Sequence, residues 1–277
     1  MNLNKDRVLE IIDNALREDV GTGDISTTAV VGLGEEVTAT ILAKDTGVIA
    51  GLEVAALVFE QIDKGIEFKP LVEEGAKIEF GTELAKVSGL SSSILTAERL
   101  ALNLLQRMSG IATKTDYYKS LVADYKVRIV DTRKTTPNLR ILEKYAVRVG
   151  GGDNHRFGLY DAVMIKDNHI AAVGGITEAV ATARRNIPHT MKIEVETESL
   201  ADVKEALDAR ADIIMLDNMD AQLMRTAVEL IGEQAIVEAS GGITAENIVE
   251  VAKTGVDVIS LGTLTHSINS LDISLNF

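Results

Sequence analysis

Between Asp131 and His169 the chain crowds cationic and imidazole side chains into one stretch: Arg133, Lys134, Arg140, Lys144, Arg148, His155, Arg156, Lys166 and His169. The protein as a whole is acidic, with a formal net charge of −14, yet two of its four histidines and this run of cations fall together. Clustered guanidinium and ammonium groups repel one another unless an anion neutralises them, so the pattern points to a small polyanionic ligand. Lys166 follows the apolar run DAVMI, which partly buries its stem and leaves two chemistries open. It binds an anion beside Arg156 and His155, or it is a desolvated Schiff-base nucleophile whose pKa the surrounding cations depress. His155 lies in GGGDNHR, where glycines let the backbone approach a ligand, while His169 and His189 read as structural.

Two carboxylates have the complementary placement. Glu196 and Asp217 end apolar runs and suit Mg²⁺, ribose hydroxyls or a developing oxocarbenium charge. A salt bridge or a helix cap is the plainer alternative for each. Glu194 shares the strand parity of Glu196 and points the same way. The small-residue segments SGG (240–242) and GTLTHS (262–267) offer Ser240, Gly241 and Gly262 as a phosphate cradle, or are ordinary turns.

The elements that position these groups alternate. From Val127 onward, apolar runs at 127–130, 162–165, 192–196, 212–216, 235–239 and 256–261 alternate with helical windows at 139–148, 175–186, 198–209, 220–231 and 244–254. This rhythm means βα units with parallel strands, forming a barrel or an open doubly wound sheet. In a barrel every polar strand end converges on one face. Earlier in the chain, 4–19 and 52–63 read as helices, and 36–88 breaks into short strand-like pieces. Residues 94–108 and 110–125 read as two helices broken at Ser109–Ile111.

Composition sets the bounds. The 277 residues suffice for one large or two medium domains. The acidic balance argues against nucleic-acid binding. With no cysteine there is no disulfide, thiol catalysis or sulfur-ligated metal, which fits a cytoplasmic protein. The charged amphipathic N-terminus is not a signal peptide, and no run is long enough to span a membrane.

The block DTRKTTPNLRILEKYAVRVGGGDNHRFGLYDAVMIKDNHI resembles the quinolinate phosphoribosyltransferase family. So do EDVGTGDIST (18–27), AERLALNLLQRMSGIAT (97–113), IEVETES (193–199), IIMLDNM (213–219), EASGGI (238–243) and SLGTLTHS (260–267). The chain departs from the family pattern at Asn138, where glycine is common, and at Ser26, where threonine is common. The resemblance implies an α/β protein with an N-terminal α/β sandwich domain over 1–110 and an open, TIM-like βα barrel over 111–270. Residues 271–277 would return to the first domain.

It implies a pentosyltransferase of de novo NAD biosynthesis. Such an enzyme joins quinolinate to phosphoribosyl pyrophosphate with Mg²⁺, giving nicotinate mononucleotide, pyrophosphate and CO₂. Arg133, Arg156 and Lys166, with His155 and Lys134 close by, would meet the two carboxylates of quinolinate. Lys134 would also meet pyrophosphate. Glu196 and Asp217 would serve the ribose hydroxyls and Mg²⁺, directly or through substrate or water. Ser240, Gly241 and Gly262 would cradle the 5′-phosphate. The resemblance also implies an obligate homodimer in which Arg99 completes the partner's site, and leaves open whether dimers stack into a hexamer. Without it, Arg99 reads as a surface arginine on an amphipathic helix. Competing readings are an aldolase-like barrel using Lys166, a relative acting on another heterocyclic acid, and a lipoyl-type carrier module over 36–88.

Overall fold

The computed structural model describes residues 3–32 and 34–277. Its contacts divide the chain into two compact units that no single cut of the sequence separates. The first takes the residues up to Asp116, then Thr135–Gly151 and Leu264–Phe277; the second takes Tyr117–Lys134 and Gly152–Thr263.

The first unit begins with α1 (Lys5–Asp19), whose N-cap Asn4 accepts a hydrogen bond from the Arg7 amide, and α2 (Ile25–Val30), capped in the same way by Asp24. Strands β1 (Glu36–Ala43), β3 (Glu67–Pro70), β5 (Glu83–Leu90) and β12 (Ile273–Asn276) form an antiparallel sheet in the order β12-β1-β5-β3. Strands β2 (Gly47–Val48) and β4 (Lys77–Ile78) pair separately. β1 alternates, burying Ala39, Ile41 and Ala43, as expected of a sheet with one face in the core. Helix α3 (Leu52–Ile62) buries Val54, Ala55, Val58 and Phe59, and the Phe59 ring meets Phe68 of β3 at 5.9 Å. Helix α5 (Arg140–Val149) also belongs here, with Glu143 buried and joined to Arg107. The departure at Asn138 has a backbone reason. Its φ is 68°, the left-handed region, which glycine adopts freely and asparagine tolerates better than other residues.

Helix α4 (Ser91–Leu121) corrects the reading of two helices broken at Ser109–Ile111. Gly110 is not a break. A Cβ there would overlap the carbonyl oxygen of Asn269, so the glycine is the notch across which residues 269–270 pass the helix. Ser109 is likewise buried, its hydroxyl accepting from the Ala50 amide. Sequence reasoning weighed local propensity, whereas packing decided the outcome.

The second unit is the barrel. Strands β6 (Arg128–Val130), β7 (Val163–Ile165), β8 (Ile193–Thr197), β9 (Ile213–Asp217), β10 (Ile236–Ser240) and β11 (Val258–Ser260) lie parallel in the order β6-β11-β10-β9-β8-β7. The first strand therefore sits beside the last, the cyclic order of a barrel rather than the reversing order of a doubly wound sheet. The ring is open between β6 and β7, and beside β6 the irregular segment around Asp153 fills in through a bridge to Val130. Helices α7 (Ile176–Asn186), α8 (Leu200–Asp208), α9 (Ala221–Ile231) and α10 (Ile248–Ala252) alternate with the strands, as expected. The short α6 (Asp167–Val173) and α11 (Thr263–His266), like α2, were not anticipated, because one or two turns give too few residues to show a period. No described helix is long and apolar enough to cross a membrane.

Replacing Gly110 by alanine ordinarily gains helix stability, about 1 kcal/mol. Here the buried overlap should win, and Gly110→Ala should lower the thermal midpoint by the equivalent of about 1–3 kcal/mol. An unchanged or higher midpoint would show that the backbone around Asn269 yields freely.

Candidate active site

At the carboxyl ends of the strands the barrel holds a cavity of about 510 Å³. Nine of the eleven candidate residues line it. Arg133 and Lys134 follow β6, His155 and Arg156 come from the irregular segment, and Lys166 follows β7. Glu196 lies on β8, Asp217 ends β9, and Ser240 and Gly241 lie at the end of β10. Two do not line it: Arg99 is exposed on α4 in the first unit, and Gly262 follows β11 outside this lining. Met164, Met215 and Ser260 line it without having been singled out. Strand parity would have found Met164, Met215 and Ser260, which lie two residues from, or level with, inward positions.

A larger groove, about 690 Å³, opens at the opposite ends of the strands, and it gathers none of the candidates. Its carboxylates serve the scaffold: Asp212 binds the Ile193 amide and Arg184, and Asp257 accepts from the Val237 amide. In parallel barrels chemistry sits at the carboxyl ends, so the smaller cavity is the candidate site.

The irregular segment is held by a buried carboxylate. Asp131, fully buried just beyond β6, accepts from the His155 amide at 2.9 Å and from the Asn154 side chain at 2.6 Å. This fixes where Arg156 enters the cavity. The Arg156 guanidinium donates to the Ala162 carbonyl at 3.1 Å. Burial and the neighbouring Arg133 pull its pKa down, while Glu194 and Asp161 push the other way. Two guanidinium groups held so close suit a dicarboxylate, which would take over the compensating role.

Lys166 pairs with Glu196 at 2.6 Å, and the Asn218 side chain donates to Asp217 at 2.7 Å. Burial raises the Asp217 carboxyl and the nearby Glu196 raises it further, against Lys166 and Lys134. Two carboxylates pressed together gain from a bound cation, and hard oxygen donors suit Mg²⁺. His169, a structural residue on the sequence reading, is placed as one: its Nδ1 accepts from the Lys166 amide at the start of α6.

His155, read from its glycine-rich segment as a ligand-facing group, is engaged at both ring nitrogens. Its Nδ1 accepts from the Arg156 amide at 2.7 Å, and its Nε2 lies 3.3 Å from Glu194 and 3.4 Å from Glu238. Burial disfavours a charged imidazole and the two carboxylates favour a proton facing them; because Nδ1 is already an acceptor, what they hold is the Nε2 proton and not a second ring proton. Burial also raises Glu194. With Nδ1 accepting, the proton that this cluster retains lies between Nε2 and the carboxylates.

Gly241, at φ 81°, crosses directly over Asn218. A Cβ there would overlap the Asn218 side-chain oxygen and stand 2.8 Å from its backbone nitrogen. The bare backbone of Gly241 and Gly242, both at positive φ, makes the kind of concave turn that binds phosphate oxygens.

A parallel βα barrel with cations, a carboxylate pair and a glycine cradle at its strand ends defines an enzyme of the anion-binding barrel class. Residues 24–109 match the N-terminal domain of quinolinate phosphoribosyl transferase, and residues 111–276 match its C-terminal domain. A relative in Synechocystis, a probable nicotinate-nucleotide pyrophosphorylase (carboxylating), is 50% identical over 94% of this chain and 89% of its own. One of the same name in Bacillus subtilis is 44% identical, covering 99% and 94%. The solved nicotinate-nucleotide pyrophosphorylase of Francisella tularensis superimposes with a TM-score of 0.95 at 39% identity, covering 99% of this chain and 97% of that one. The chain belongs to the quinolinate phosphoribosyltransferase family.

If Gly241 and Gly242 form an anion cradle, Gly241→Ala should weaken inorganic phosphate binding at least tenfold by titration calorimetry, since the backbone must shift. Unaltered affinity in the folded variant would remove the cradle from this turn.

Proposed function

We propose that this chain transfers the phosphoribosyl group of phosphoribosyl pyrophosphate to the ring nitrogen of quinolinate and releases pyrophosphate, CO₂ and nicotinate mononucleotide. The observation that carries this reading is the convergence of Arg133, Arg156, Lys134 and Lys166 with Glu196 and Asp217 on one cavity. Relatives at 44–50% identity bear the carboxylating pyrophosphorylase name.

The residues divide the work by charge. Arg133, Arg156 and Lys166 meet the adjacent carboxylates of the pyridine, and Lys134 meets the departing pyrophosphate. The Ser240–Gly241 turn, with Gly262 on the neighbouring strand end, receives the 5′-phosphate. Glu196 and Asp217 would hold Mg²⁺, directly or through substrate and water, and the ion would offset charge on the pyrophosphate as it leaves. The same carboxylates face the positive charge that grows on the ribose carbon. The bond from C1′ to pyrophosphate breaks with its electron pair leaving on oxygen, and the pyridine nitrogen supplies the pair for the new bond. The ring nitrogen is then cationic. It stabilises the pair left on the adjacent carbon when CO₂ departs, and a proton from solvent completes the product. No covalent enzyme intermediate is required, so the chemistry is positioning and electrostatics. The pairing of Lys166 with Glu196 supports this over the Schiff-base alternative, since a partnered ammonium is not a desolvated amine. The protein would act as a homodimer, with Arg99 reaching the partner's site.

The test is formation of nicotinate mononucleotide and pyrophosphate from the two substrates, with product expected only when both are present with Mg²⁺, and lost on chelation. Folded protein that makes no product would end the quinolinate assignment. Arg99→Ala and Lys166→Ala should each cost at least about a hundredfold in kcat/KM, the worth of about 3 kcal/mol of charge-assisted contact. Mixed and reassociated, the two variants should regain about a quarter of wild-type activity, because half the dimers would carry one intact site. No recovery in verified heterodimers would exclude a shared site.

A further inference from the structure

Beneath the candidate cavity the barrel holds a second one, about 230 Å³, reached from the amino-terminal ends of the strands. Glu194 of β8 and Glu238 of β10 line it, only 2% and 4% exposed. These strands flank β9, and both side chains aim at the same imidazole nitrogen. Glu194 turns Oε2 to the ring and leaves Oε1 without a hydrogen bond, whereas the Glu238 oxygen nearest the ring, Oε1, faces Nε2 as a charge without a hydrogen bond of its own. His155 and Arg156 line both cavities and form the partition between them.

The imidazole is gripped on both sides. A neutral histidine has one N–H; the Arg156 amide donating to Nδ1 forces that proton onto Nε2, toward the two carboxylates. A metal ion at Nε2 would have to displace this proton, so the cluster is organised for hydrogen bonding rather than ligation. Without the carboxylates the ring would have no buried acceptor for Nε2 and would turn, and the Arg156 amide tied to Nδ1 would turn with it.

We propose that Glu194 and Glu238 are a buried positioning pair that locks the His155 ring and thereby holds Arg156 at the floor of the cavity above. Its catalytic consequence rests on the reading of that cavity as the quinolinate site. A positioning role predicts a defect confined to one substrate, because His155 and Arg156, the groups it holds, come from the irregular segment after β6, whereas the phosphate turn and the Glu196–Asp217 pair end β10, β8 and β9.

Glu238→Gln keeps an oxygen of the same shape facing Nε2; Glu238→Leu removes it. We expect Glu238→Gln to keep the KM for quinolinate within about threefold of wild type, and Glu238→Leu to raise it at least tenfold. In both, KM for phosphoribosyl pyrophosphate should stay within about twofold. The ring ¹⁵N spectrum of His155, assigned by comparison with His155→Asn, should show a protonated Nε2 and an unprotonated Nδ1 in wild type and in Glu238→Gln. Wild-type KM for quinolinate in Glu238→Leu would overturn the proposal, as would equal loss in both variants or a protonated Nδ1 in the wild-type spectrum. If Glu238→Leu does not fold, Glu194→Gln and the wild-type spectrum carry the test. Wild-type protein without activity would defeat the functional reading alone, because the spectrum reports the lock independently of turnover.

Discussion

The site depends on one buried carboxylate. β6 is an edge strand facing the gap in the barrel, and the residues covering it, 152–156, have no strand geometry of their own. Asp131 supplies what a neighbouring strand would have supplied: its two oxygens accept from the His155 amide and the Asn154 side chain, while Asp153 exchanges backbone hydrogen bonds with Ile129 and Asp131. A charge with no exposure persists only when it is so paired. The reward is placement: a glycine-rich stretch that would otherwise wander delivers Arg156 and His155 to fixed points.

Electrostatics then works in layers along the barrel axis. The mouth carries Lys166, Glu196 and Asp217, and the level below carries His155, Glu194 and Glu238. An acidic protein can keep a cationic mouth because Lys166, Lys134 and Arg156 have carboxylates within reach before any ligand arrives. Lys166 rests on Glu196, and Glu194 and Asp161 favour the charge of Arg156. A polyanion entering such a mouth exchanges partners with groups already in place and need not assemble them.

Much of this was legible in the residues. Six apolar runs ending in polar or glycine residues mark parallel βα units but leave barrel and doubly wound sheet open; the strand order decides for the barrel, which brings nine separately chosen residues to one cavity. What local reading missed was decided by distant contacts. Gly110 has the chemistry of a helix breaker, yet it lies mid-helix because Asn269, far along the chain, passes over it. His155 reads as a ligand-facing group in a glycine-rich segment, and only its contacts with two other strands show both ring nitrogens engaged. Glu194 was aligned with Glu196 by parity, but parity cannot tell the mouth from the interior; depth came from the register with β7 and β9.

β12 carries a consequence for how the molecule is made. Ile273–Asn276 pair antiparallel with β1, from Thr40↔Asn276 to Ala43↔Ile273, so strands more than two hundred residues apart in sequence share one sheet. During synthesis the first unit must wait, with the apolar edge of β1 uncovered, until the barrel has emerged from the ribosome. Pairings of such separation are slow to find, and exposed edges invite association with other chains. The barrel has a closing pair of the same kind, since β6 finds its strand partner only in β11, the last barrel strand made.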